Sequence, residues 1–281
     1  MIDDTARRAY WAEQMDAAYA FMQRMRDYPV SECGEPLIYL PSAVAEVGVT
    51  VTFSTAASSN GKPRLYFLRA GLLPSFLAVA REMNARGWLL KVEDAFRTIE
   101  MQQYNARWPM LYHTILHKVM WECGGEAPTL DLFTRRMAAL IAPSPKVGTH
   151  LSGSAMDISV LDRDTGEEID RGRPYLEMSE ITPMESPFVS AAARYHRREI
   201  TELFARHGFV AYPWEFWHYS AGDAYAADLC HTGQPACYGP VHLDMADGSV
   251  TPIADPGRLL NNPDDFAAIM QQVLAESGVP D

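Results

Sequence analysis

His150-Leu151-Ser152-Gly153-Ser154-Ala155-Met156-Asp157 and, about sixty residues on, Glu215-Phe216-Trp217-His218 are the stretches on which the reading of this chain turns. Ala155 to Leu161 alternates as a strand that puts Asp157, Ser159 and Leu161 on one face. Ahead of it, Gly153 permits a tight turn, and Pro143, Pro145 and Gly148 leave His150 at a loop edge. Glu215 to Tyr219 reads as a second strand, entered from Phe209 to Tyr212 and made irregular by Pro213. In an ideal strand, positions three apart face opposite ways, so Glu215 and His218 converge only where the backbone bends. Two imidazoles and one carboxylate, with a fourth position open, are what a hydrolytic zinc centre needs, and a second carboxylate can handle protons. Taken singly, His150 could cap a turn, Asp157 could bind backbone amides and His218 could pack among aromatics. Taken together, with these intervening residues, they read as the ligands of one Zn2+ per chain, with Glu215 as the base.

Working outward, residues 5 to 27 pattern as an amphipathic helix, with Met15, Ala18, Met22 and Met25 on one face and Pro29 beyond its end. That methionine stripe reads as core packing or a homodimer contact. Pro36 to Pro41 reads as a connector. Val47 to Phe53 and Leu65 to Leu68 flank Ser59-Asn60-Gly61-Lys62, which predicts a hairpin. A helix with Pro74 in its first turn and Gly87 past its end precedes a buried strand from Trp88 to Val92, which delivers Arg97. Residues 99 to 121 and 188 to 207 read as helices, the latter closed by Gly208, and a last helix runs from about Pro263 to Glu276. Strands and helices in mixed order, without regular βαβ alternation, predict an α+β fold: a central, mainly antiparallel sheet flanked by helices. The expected organisation is an N-terminal helical arm (1–35), a catalytic domain (36–226) and a Pro/Gly-rich extension ending in a helix (227–281).

Spelled HxxGxAxD and ExWH, the two stretches resemble the M15 metallopeptidase family that contains the VanX-type D-alanyl-D-alanine dipeptidases. Glu93-Asp94-Ala95-Phe96-Arg97 resembles the family's DAYR segment, so the likeness covers roughly residues 50 to 220. The resemblance implies that Glu215 is not a ligand. It takes a proton from the attacking water and later passes it to the leaving amine, desolvated by Trp214, Phe216 and Trp217. It also implies that Arg97 meets the oxyanion, although the segment alone reads as an ion pair with Asp94 or Glu93. The chain departs from the pattern at Gly148, where the family usually has Ser, and at Thr98, where it commonly has Pro. Met178 to Glu185 replaces a segment whose acidic residue meets the substrate's amino group, which leaves Glu180 or Glu185 to pair with an ammonium. Hydrolysis of a small D-Ala-D-Ala-like dipeptide is the function this implies. A carboxypeptidase or amidase on longer peptides or muropeptides is the second reading, and a non-catalytic zinc-fold binding module the third.

The 281 residues carry a net charge of -12, and the positive charges are scattered, which argues against nucleic acid or anionic lipid as partners. Charged residues throughout Met1 to Val30, and the interruption of every apolar run, predict neither a signal peptide nor a membrane span, and hence a cytoplasmic protein. Cys33, Cys123, Cys230 and Cys237 fit that compartment as free thiols, although one disulfide between Cys230 and Cys237 stays open. His113 and His117 stand at i and i+4, but Thr114 occupies the place of the glutamate in HExxH, so the pair reads as structural. His196 and His207 read as core histidines of their helix.

Overall fold

The computed structural model describes residues 4–277. In chain order, α1 (Asp4–Asp27) leads to β1 (Leu37–Tyr39), α2 (Leu40–Val47), β2 (Val51–Phe53) and β3 (Phe67–Arg69). Then come α3 (Leu73–Ala85), β4 (Trp88–Asp94), α4 (Ile99–Asn105), α5 (Pro109–Glu122) and α6 (Leu130–Leu140). The second half holds β5 (Ala155–Asp162), α7 (Ala191–Arg206), β6 (Val210–Ala211), β7 (His218–Ser220), α8 (Ala224–Leu229), β8 (Val241–Leu243), β9 (Val250–Pro252) and α9 (Pro263–Ser277).

The central sheet has five strands in the order β2-β4-β5-β7-β6. Only β2 and β4 run parallel, so the fold is the α+β arrangement with a mainly antiparallel sheet that the element order predicts. β5 is its middle strand, buried from Ala155 to Val160, as expected where both neighbours and packed helices exclude water. A bulge between Val92 and Asp94 shifts the register of β4, so that Asp94 lies opposite Asp157. Asp157 in turn lies opposite His218 on β7. Three polar residues therefore form one row across three adjacent strands.

The helices begin and end where local chemistry directs. Thr98, Thr129 and Ser190 cap α4, α6 and α7 by accepting from the N–H of Met101, Leu132 and Ala193. Pro109 starts α5, which splits the single helix expected over 99–121, since Trp108 is extended (φ -69°, ψ 115°) immediately before it. One apolar core gathers Trp11 and Met15 of α1, Leu90 and Val92 of β4, Ile158 of β5, and Val273 of α9. The methionine stripe of α1 is thus spent on packing within the chain, with Met15, Met22 and Met25 buried.

Three local expectations are corrected. Val47–Phe53 and Leu65–Leu68 do not form a hairpin. The turn exists, with the Gly61 N–H bonded to Ser58 O at 2.9 Å, but β2 pairs with β4 and β3 with β1. Pro36–Pro41 is not a plain connector, since β1 and the start of α2 lie in it. His196 and His207 are half-buried rather than core residues. Their rings reach Asp170 O and the Glu82 carboxylate, each at 2.8 Å, while Arg197 is the polar side chain that this helix buries, beside Ala193, Ile200, Leu203 and Phe204.

Candidate metal centre and catalytic cavity

The row across β4, β5 and β7 opens into a cavity lined by Arg97, His150, Asp157, Glu215 and His218, with apolar walls from Met22, Leu140 and Trp217 among others. His150 enters on a 3-10 turn, Thr149–Ser152, that ends at Gly153 with φ +67°. At Gly153 a β-carbon would sit 2.3 Å from Leu37 Cδ2, so both the backbone conformation and the space demand glycine. His150 Nδ1 faces the Ala95 carbonyl at 2.5 Å, which turns Nε2 toward Asp157 Oδ1 at 3.2 Å. His218 Nε2 meets the Thr149 hydroxyl at 3.0 Å, and its Nδ1 stands 3.0 Å from the same Asp157 oxygen. One atom from each of these three residues lies within 4.8 Å of the others, and theirs is the only such group among the described residues. Bonds of about 2 Å in tetrahedral array place ligand atoms roughly 3.3 Å apart, so the donor set fits a metal ion of zinc's size. The outer nitrogens, held by Ala95 O and Thr149 Oγ1, supply the supports that orient ligating imidazoles.

Asp157 is buried, which by itself would raise its carboxyl, but His150 and His218 outweigh that and hold it well below the usual range. Its second oxygen accepts from Arg97 Nη2 and from the Tyr175 hydroxyl, both at 3.0 Å. Arg97 also bonds Asp94 through Nε at 2.8 Å, and Arg64 reaches the same Asp94 oxygen at 2.8 Å. Arg97 is therefore both the ion pair its segment suggests and a cation lining the cavity. Burial works against its charge, but Asp94 and Asp157 more than offset this and keep it protonated.

Glu215 does not lie on a strand. β7 starts only at His218, and Glu215 sits between turns, its N–H bonded to Tyr212 O and its carbonyl accepting from the His218 N–H at 3.1 Å. The turn, which Pro213 begins, resolves the parity conflict: Glu215 Oε2 comes to 4.0 Å from His218 Nδ1. Burial first, then the negative Asp157, push its carboxyl up to about 8, against the pull of Arg97. Burial depresses His218 despite Asp157.

Neither acid proposed for the substrate's amino end lines the cavity. Glu180 is buried and bonded to Lys118 and to Arg7 Nε, the latter at 2.6 Å, so its charge is already matched within the chain. Glu185 is exposed. His113 and His117 stand half-buried and exposed with ring centroids 6.4 Å apart, and all four cysteines are free. Sequence reasoning missed Tyr175, Arg64 and Thr149. Tyr175 and Arg64 lie in irregular segments with no periodicity to flag them, while Thr149 is visible only as the neighbour of His150.

A buried His-Asp-His group facing a raised glutamate and a fixed arginine is the arrangement a metallopeptidase needs, and the chain is similar to the VanX-like peptidases of the M15 family. Residues 131–234 match the family model for peptidase M15, described as D-ala-D-ala dipeptidase. A D-alanyl-D-alanine dipeptidase of Synechocystis sp. is 28% identical over 226 residues, covering 69% of this chain and 85% of that protein. One from Enterococcus faecium is 32% identical over 75 residues, 27% of this chain and 37% of its own length. Among solved structures, the LdcB LD-carboxypeptidase aligns with TM-score 0.38 at 16% identity, covering 74% of this chain and 79% of its own. The D,D-pentapeptidase VanY of a vancomycin-resistance cassette, solved with Zn(II), aligns at 0.35 and 17% identity, covering 74% and 94%. No helix among the described residues is long and apolar enough to cross a membrane.

Proposed function

We propose that the chain is a zinc peptidase that cleaves a small D-Ala-D-Ala-like peptide, with His150, Asp157 and His218 holding the ion, Glu215 as general base and Arg97 as oxyanion partner. The observation that carries this reading is the convergence of three donor atoms within 4.8 Å, with Glu215 Oε2 4.0 Å from one of them. When bound, zinc acidifies water and polarises the amide carbonyl. Glu215, whose carboxyl is raised to about 8, accepts the proton as the water oxygen bonds to the amide carbon. Arg97 presents a cation, fixed by Asp94, to the oxygen that becomes negative. Glu215 then delivers the same proton to the nitrogen as the carbon–nitrogen bond breaks, which returns the carboxylate.

The relatives named for D-alanyl-D-alanine support a free dipeptide as substrate. One observation favours the second reading, a carboxypeptidase or amidase acting on peptides whose amino group is acylated. Asp157 and Glu215 are the only carboxylates lining the cavity among the described residues, and both are committed to the chemistry. A free ammonium entering there would lose hydration without gaining a counter-charge. The test is metal analysis of purified protein, followed by hydrolysis of D-Ala-D-Ala, its L,D- and L,L-isomers and their N-acetyl forms, with and without chelator. Bound zinc and chelator-sensitive cleavage support the function, and preference between free and acetylated peptides decides between the readings. Metal-free protein, or cleavage indifferent to chelator, overturns both.

A further inference from the structure

We propose that Tyr212 is a catalytic residue in the sense of direct substrate contact, its hydroxyl donating a hydrogen bond to an acceptor oxygen of the peptide bound in the cavity. The inference rests on the cavity being the peptide site. Tyr212 is 3% exposed, lines the cavity, and its hydroxyl finds no hydrogen-bond partner among the described residues. Burying a hydroxyl unpaired is costly, and folded proteins seldom tolerate it without a use. Phenylalanine would serve if packing were all that was needed.

The neighbouring tyrosine shows that partners are available in this wall. Tyr225, with its ring centroid 5.1 Å from that of Tyr212, donates its hydroxyl to the Val147 carbonyl at 2.7 Å. Tyr212 is held instead by its ring and backbone. Phe21, Trp214 and His218 surround the ring at centroid distances of 5.8, 5.3 and 5.8 Å. Its N–H donates to the His218 carbonyl at 2.9 Å, and its carbonyl accepts from the Glu215 N–H at 3.3 Å. The side chain is thus rigidly placed between the base and a ligand residue, with its donor uncommitted. On that same side, the Thr149 hydroxyl is already engaged by His218. A peptide entering a largely apolar cavity brings carbonyl and carboxylate oxygens that lose water and need donors. Tyr212 supplies one.

The test is Tyr212→Phe, compared with the unaltered protein in the metal-loaded form. The readouts are metal content, Tm, kcat/KM over the peptide panel, and the rise in Tm caused by saturating peptide. Removing a hydroxyl that bonds nothing in the free protein leaves metal content unchanged and Tm equal or higher, while kcat/KM falls roughly ten- to hundredfold and the peptide-induced rise shrinks. Tyr225→Phe, which breaks a bond inside the protein, lowers Tm and so calibrates what a structural hydroxyl does. Unchanged kcat/KM in Tyr212→Phe, or a loss of activity that only tracks a lower Tm, overturns the proposal. If the unaltered protein cleaves no panel peptide, the hydrolytic reading fails by itself, and the Tyr212 proposal stands only if peptide raises Tm and the variant loses that rise. No rise in either protein overturns both.

Discussion

Around Asp157 every charge has an answer: Arg97 and Tyr175 on one oxygen, His150 and His218 on the other, and Arg64 with Arg97 on neighbouring Asp94. Around Glu215, on the facing wall, burial and the negative Asp157 outweigh Arg97 and one hydrogen bond from Trp217. The first arrangement keeps a carboxylate ionised in the interior, as a metal ligand requires. The second holds a carboxyl poised to exchange a proton near neutral pH, as a base requires. Two acids in one cavity are driven in opposite directions by their partners, and that divergence is what the proposed ligand and base roles require.

The strongest way to break this contrast is His218→Ala, which removes one of three donors. Bound metal per chain falls to near zero by elemental analysis, and turnover falls to background. Glu215→Gln separates the two walls: metal content is retained while kcat drops about 10²- to 10⁴-fold in steady-state assays. Arg97→Lys keeps a positive charge but loses the planar fork shared by Asp94 and Asp157, so kcat/KM falls about ten- to hundredfold and Tm declines.

A pH series on metal-depleted protein sharpens the comparison further. Because Glu215 is raised from 4.5 to about 8, the folded state holds a proton that the unfolded state has released across that window, so its contribution to stability declines as pH rises through it. Denaturant unfolding then shows Glu215→Gln gaining on the unaltered protein from about pH 4.5 to about pH 8, by about 5 kcal/mol in all, with no difference at lower pH. Smallest of all, exposed Glu185→Ala changes kcat/KM by less than about twofold and stability by less than about 0.5 kcal/mol.

Much of this was legible in the residues because its signals are local. Alternation around Asp157, the tight turn at Gly153 and the paired motifs predicted a strand, a loop-edge histidine and a converging His218. The turn bearing Glu215 was legible only as a conflict between strand parity and chemistry, since Pro213 signals irregularity but not its shape. What stayed hidden depends on partners far along the chain. Glu180 meets Arg7 and Lys118, 173 and 62 positions away, and nothing near it in sequence says that its charge is spoken for. The strands expected to form a hairpin were drawn apart for the same reason: the Ser58–Lys62 turn is local, but the choice of β4 and β1 as partners is not.

The alignment of Asp94, Asp157 and His218 across adjacent strands means that pairing register and chemistry are a single variable in this protein. Sliding β7 by two positions against β5 would keep inward residues inward and preserve much of the apolar packing, yet it would carry the imidazole roughly 7 Å away from its carboxylate. A refolded sample could thus be stable, cooperative and inert at once, and metal uptake would distinguish it from the correctly paired form more sharply than any measure of helix content or melting.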